Sequence, residues 1–151
     1  MFFDKKISFF QLEANDRNEA LKELAAKLYS SNLVTEAFYN GILEREEKFP
    51  TGLSVVPYGI AIPHTEADKV ITAQIAFASL NKPVKFYMMG KENEEVDVSL
   101  IFMLALKKAE DQITMLQKLV EIFQDVSLIR EFANCKNQKE LEGILLKVGL
   151  E

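Results

Sequence analysis

Residues 100–106 read Leu-Ile-Phe-Met-Leu-Ala-Leu, an unbroken apolar run inside a strand-like stretch, residues 96–106. Successive side chains of a strand point to opposite faces, so a run apolar at every position needs cover on both sides. An exposed edge strand cannot meet that need. Nor can the run cross a membrane, which takes about 20 apolar residues in a helix. It belongs at the centre of a sheet.

The rest of the chain supplies the layers. Residues 7–12, 60–62 and 74–80 have the apolar, β-branched character of further strands. Asp16 with Glu19 three residues later forms a capping box, and it opens a helix whose apolar face is Leu21, Leu24, Ala25 and Leu28. Thr35 is expected to open a second helix running to about Glu47. Its inward residues are Phe38, Ile42 and Leu43; Glu44, Glu46 and Glu47 are read as its solvated face. Pro50-Thr51-Gly52 ends it. The charged run Lys91-Glu92-Asn93-Glu94-Glu95 reads as a solvated connection between strands. After the central strand come helices over 111–124, with Ile113, Leu116, Leu119, Val120 and Phe123 as the stripe, over 128–134 after Ser127, and over 138–148 behind an Asn137 cap paired with Glu140. Helices before and after the strands imply a layered α/β domain.

A length of 151 residues suits one such domain, spanning 1–151, and no internal repeat or Pro/Gly/Ser-rich linker divides it. Net charge is −5, and no Lys/Arg cluster interleaves with aromatics, so nucleic acid is not an expected partner. Met1-Phe2-Phe3-Asp4-Lys5-Lys6 lacks the order of a signal peptide, which points to the cytoplasm and to no direct membrane insertion. Cys135 is the only cysteine and has no disulfide partner; Cys135 with His64 gives too few soft ligands for a zinc site, so no metal is expected. A glycine-rich phosphate loop, a Gly-x-Ser-x-Gly elbow and a His-Glu-x-x-His pair are all missing from the sequence, and no cofactor is expected.

Chemistry therefore concentrates on the one histidine. His64 ends the sequence Tyr58-Gly59-Ile60-Ala61-Ile62-Pro63-His64, where a proline stops an apolar strand and the next side chain emerges at the sheet rim. Strand ends in α/β sheets are where ligands collect. An imidazole that is largely neutral at cellular pH can attack a phosphoryl group and hold it as a phosphoramidate.

The segment Arg45-Glu46-Glu47-Lys48-Phe49-Pro50-Thr51-Gly52, followed by Gly59-Ile60-Ala61-Ile62-Pro63-His64, resembles the signature of the fructose/mannitol-type enzyme IIA domains of the bacterial sugar phosphotransferase system. The extra residues between arginine and histidine, with Phe-Pro-Thr-Gly, resemble the galactitol-type branch. The likeness continues through Ala76-Phe77-Ala78-Ser79-Leu80, Pro83-Val84-Lys85-Phe86, Asp97-Val98 and Leu116-Gln117-Lys118-Leu119.

The resemblance implies a compact layered α/β domain with a mixed sheet flanked by helices. It implies a phosphotransferase in which His64 is the phosphorylated nucleophile, through Nε2, and Arg45 stabilises the transferring charge. The donor would be HPr, the histidine carrier protein, and the acceptor a cysteine of a sugar-specific IIB component working with a membrane IIC component. Mannitol-type relatives carry a second histidine where this chain has Gln112, whose amide could orient His64 or bind phosphate oxygens. Thr51 and Gly52 read first as a turn, and Asp97 serves equally as a structural strand-start residue. Thr65 and Glu66 stay open, and Phe49, Tyr58 and Met115 are either an apolar surround for docking or core. Two other readings are a regulatory module that uses the same phosphohistidine to switch partners, and an interaction domain that has lost phosphorylation.

Overall fold

The apolar run at 100–106 is covered on both faces, as its composition requires. The computed structural model describes the main chain of residues 1–151 and every side chain except that of Glu92. In chain order the elements are β1 (Ser8–Leu12), α1 (Arg17–Ser30), α2 (Phe38–Lys48), β2 (Gly52–Leu53), β3 (Gly59–Ala61), a 3-10 turn (Ala67–Lys69), β4 (Gln74–Met88), β5 (Lys91–Ala105), α3 (Ala109–Ile122), α4 (Val126–Asn134) and α5 (Gln138–Lys147).

The sheet is mixed. β4 and β5 form a long antiparallel hairpin, from Gln74↔Ala105 to Met88↔Lys91, and parallel strands flank it: β1 beside β4, with Ser8 opposite Phe77, and β3 beside β5, with Ile60 opposite Leu100. β2 pairs antiparallel with β3 and touches the end of β4 at Met88. Gly59 is required where β3 meets β5, because a Cβ there would lie 2.2 Å from the Asp97 carbonyl oxygen. The hairpin ladder breaks between Ser79 and Val84, where Asn81, Lys82 and Pro83 stand exposed; Pro83 has no N–H to give the ladder.

Alternation along β5 sorts its side chains into two cores: Ile101, Met103 and Ala105 pack with α1 and α2, while Leu100, Phe102 and Leu104 pack with α3, α4 and α5. An irregularity in register between Val98 and Leu100 reverses the phase, so Val98 joins the first group. On the second side Phe102 meets Phe77, Phe123 and Phe132 at centroid distances of 5.2, 5.3 and 5.3 Å, the Phe77 and Phe132 contacts being edge-on. Such geometry adds to the burial of each ring. Among the described residues no helix is long and apolar enough to cross a membrane.

Asp16 caps α1 by accepting from the Glu19 N–H at 2.8 Å, and Asn137 caps α5 by accepting from Glu140 at 2.9 Å, as the sequence predicts. Four expectations need correction. Residues 91–95 are not a loop: they are solvent-exposed, where described, but extend β5, held by pairs such as Tyr87↔Glu95. Helix α2 starts at Phe38 and not at Thr35, because the Thr35 N–H donates to the Lys69 carbonyl and its C=O accepts from Phe38 in a turn before the helix. On α3 the inward residues are Met115 and Leu119 with Phe123 just beyond, whereas Ile113 is 57% exposed and Val120 faces outward. Finally Asp125, not Ser127, caps α4.

Candidate active site

β3 gives way to Ile62-Pro63-His64 alongside β5. The Leu104 N–H donates to the Pro63 carbonyl at 2.9 Å, and His64 bridges to Leu104 in parallel register. His64 thus stands at the carboxyl ends of two adjacent parallel strands. Its side chain is half-buried, and Nδ1 lies 2.8 Å from the Ile62 carbonyl oxygen. A carbonyl can only accept, so the neutral ring carries its proton on Nδ1 and presents a lone pair at Nε2. Burial above all holds His64 below the usual imidazole pKa, with the charge of Arg45 acting the same way, against the Ile62 hydrogen bond and Glu66, which raise it. The ring is neutral at pH 7.

The last turn of α2 brings Arg45 to this end of the sheet. Its guanidinium carbon lies 4.6 Å above the ring centroid of Phe49, which is 58% exposed, and its buried Nε has no hydrogen-bond partner among the described residues. A buried charged donor without a partner is costly unless a ligand completes it. The Arg45 charge acts on both His64 and Glu66, so the cation lies in the field of the site. Arg45 and His64 thus lie within electrostatic reach of each other.

Gln112 is half-buried in the first turn of α3, which the chain enters through Lys107 and Lys108 after β5. Its side chain makes no hydrogen bond among the described residues. Of the apolar candidates, Phe49 and Tyr58 are exposed, whereas Met115 is core, packed against the second cluster.

Three polar residues beside the site are buried. Thr65 donates to Glu66, and that bond is the main reason the Glu66 carboxylate sits below its usual range. Gly41 lets α2 approach this segment, since a Cβ there would lie 2.7 Å from Thr65 Oγ1. The solvated-face reading of α2 also needs correction at Glu46, which is 1% exposed and not solvated. Its carboxylate accepts from the Thr51 N–H at 2.8 Å and the Thr51 hydroxyl at 2.9 Å. The signal was present in the spacing: Phe38, Ile42 and Glu46 fall four apart on one inward stripe. Thr51 is likewise buried, a structural acceptor and donor as well as a turn residue.

A mixed sheet between two helical layers, with this histidine at its rim, is the fold of the IIA domains of the sugar phosphotransferase system. A putative PTS IIA domain from Streptococcus pyogenes M1 GAS superposes with a TM-score of 0.81 at 26% identity, covering 98% of this chain and 94% of that one. The mannitol enzyme IIA in its complex with phosphorylated enzyme IIB from Escherichia coli superposes with a TM-score of 0.77 at 22% identity, over 93% of this chain and 94% of that one. Residues 1–148 match the family model "Phosphoenolpyruvate-dependent sugar phosphotransferase system, EIIA 2", and the chain belongs to that family. Its relatives include the galactitol-specific EIIA component of Escherichia coli (strain K12), 27% identical over 76% of this chain and 75% of that protein. They also include the transcriptional regulator ManR of Bacillus subtilis (strain 168), 35% identical over 82% of this chain but only 17% of ManR.

Proposed function

We propose that this protein is a phosphohistidine relay in sugar uptake. His64 Nε2 attacks the phosphorus of phosphorylated HPr; the new N–P bond forms as the donor's N–P bond breaks. In the second transfer the thiolate of a IIB cysteine attacks the same phosphorus, an S–P bond forms, and His64 regains its lone pair. Arg45 supplies the charge that the equatorial oxygens need during in-line transfer, with its planar fork and its unpartnered Nε–H. Gln112 contributes an amide N–H from the first turn of α3 to a phosphoryl oxygen. The relay works in the cytoplasm as a single domain, ahead of a membrane IIC component. The sugar is galactitol or a related polyol, a reading supported by the Phe-Pro-Thr-Gly loop and by the galactitol-specific relative.

The observation that carries the proposal is the Nδ1 contact with the Ile62 carbonyl, which leaves a neutral Nε2 free at the site rim. The test is intact mass after incubation with phosphoenolpyruvate, the general phosphotransferase enzyme and HPr. An acid-labile gain of about 80 Da, one phosphoryl group, that is absent from His64→Ala is the expected result. No gain while HPr itself becomes phosphorylated would sink the relay. Transfer onward to a galactitol IIB domain then tests the sugar. A second reading is supported by the likeness to ManR: the same phosphohistidine regulates a partner protein. Under that reading the gain of mass appears, but no sugar-specific IIB domain discharges it.

A further inference from the structure

The hydrogen bonds behind His64 form one directed chain. Glu46 can only accept while ionised, so the Thr51 hydroxyl proton, 2.9 Å away, is committed to it. That leaves the Thr51 oxygen to accept, and the Ile62 N–H donates to it at 3.2 Å, shared with the Thr51 carbonyl at 3.4 Å. Ile62 is thereby fixed, and its own carbonyl takes the Nδ1–H of His64 at 2.8 Å. Each link except the last is fully buried.

We infer that Glu46 is a positioning residue for His64: through Thr51 it holds the Ile62 backbone where its carbonyl sets the direction of the imidazole and takes the proton on Nδ1. The carboxylate has no contact with the phosphoryl group and is not a catalytic residue. Desolvation pushes the Glu46 carboxyl above its usual range, against the Thr51 hydrogen bonds and the charge of Arg17, which among the described residues favour its ionised form. Simple turn stabilisation asks for no buried charge, because a neutral acceptor would hold the Thr51 N–H equally well. A charged acceptor does more: it commits the Thr51 hydroxyl proton, leaves the Thr51 oxygen free to hold the Ile62 N–H, and so fixes where the Ile62 carbonyl stands beneath the ring. Thr51 is the second member of the same relay, so a single change at either end should loosen the ring.

The inference rests on His64 being the phosphorylated residue, but its test does not depend on phosphorylation. Ring nitrogens of the sole histidine are observed by 15N NMR in wild type, Glu46→Gln, Thr51→Val, Thr51→Ser and the exposed control Glu44→Gln. Wild type, Thr51→Ser and Glu44→Gln should show a protonated Nδ1 and a bare Nε2. Glu46→Gln and Thr51→Val should show mixed tautomers, with phosphorylation from HPr slowed on the order of tenfold, the lower end of what losing the partner behind a metal-bound histidine costs. Rescue by Thr51→Ser distinguishes the relay from a packing effect. If Glu46→Gln fails to fold, Thr51→Val decides. A folded Glu46→Gln or Thr51→Val with the wild-type tautomer overturns the inference, even where phosphorylation is seen. Mixed tautomers in these variants, in a protein that never accepts phosphate, would uphold the positioning role and overturn the relay.

Discussion

The imidazole Nδ1 of His64 stands 2.8 Å from the carbonyl oxygen of Ile62, two residues earlier in the same extended segment. Because the acceptor is backbone, the tautomer is tied to the strand and not to a mobile side chain. The ring is oriented by the main chain.

That environment predicts an acid-shifted titration. Burial and the Arg45 charge hold the His64 pKa below 6.5, so the neutral, nucleophilic form persists to more acid pH than in a free imidazole. The single histidine makes the 1H NMR titration unambiguous: its midpoint should fall below 6.5. Arg45→Gln should move the midpoint up, because it removes a cation that opposes ring protonation. The sign for stability follows. The unfolded chain binds this proton more readily than the folded one, so stability is lost as pH falls from above 6.5 through the folded midpoint. His64→Ala should flatten that part of the profile in urea titrations, and a midpoint at or above 6.5 would refute the assignment.

Arg45 should be irreplaceable by lysine. Its buried Nε has no partner among the described residues, and a planar fork can engage two phosphoryl oxygens at once. Arg45→Lys is expected to slow phosphorylation from HPr by about a hundredfold, comparable to losing one donor at a developing oxyanion. Stopped-flow transfer at saturating donor measures it. Unchanged transfer in Arg45→Lys would mean that charge alone matters at this position.

Much of this architecture is legible in the sequence, for reasons that differ by element. The two-faced apolar run at 100–106 locates the central strand, and Asp16 with Glu19 locates a helix start, because both signals are local. Pro63-His64 marks the site because a proline ends a strand wherever the fold puts it. The misses come from long-range contacts. Residues 91–95 have poor strand propensity and extend β5 only because β4 offers a partner; Asp97 just beyond pairs with Lys85 at 2.7 Å across the hairpin. Glu46 looks like its solvated neighbours until Thr51 folds back on it. Thr35 reads as a cap, yet its main chain is claimed by Lys69, distant in sequence.

Phe102 should be the residue whose truncation the fold tolerates least. It lies at the meeting of the central strand with α4 and the end of α3, in contact with three other phenylalanine rings. Phe102→Ala is expected to cost about 3–5 kcal/mol, transfer plus cavity. Against a typical stability of about 5–15 kcal/mol, that is a large share. The urea midpoint reads it directly. An effect below about 1 kcal/mol, the range of an ordinary surface change, would show that the aromatic cluster repacks.

Phe49 separates two roles that an exposed aromatic beside an active site can have. Its ring lies under the Arg45 guanidinium at 4.6 Å, and it is largely open to solvent. As a docking residue it would offer apolar area; as a support for Arg45 it offers a π face, worth about 0.5–1 kcal/mol at an exposed site. Phe49→Leu keeps much of the area and removes the π face, whereas Phe49→Ala removes both. Support for Arg45 predicts that both variants slow single-turnover phosphorylation by a similar two- to fivefold, the kinetic equivalent of about 0.5–1 kcal/mol. Docking predicts instead that Phe49→Leu behaves as wild type and Phe49→Ala weakens the apparent affinity for HPr with an unchanged limiting rate. Because the guanidinium sits over the ring in the free protein, the first pattern is the expected one. A change confined to affinity would show that Arg45 holds its position without Phe49.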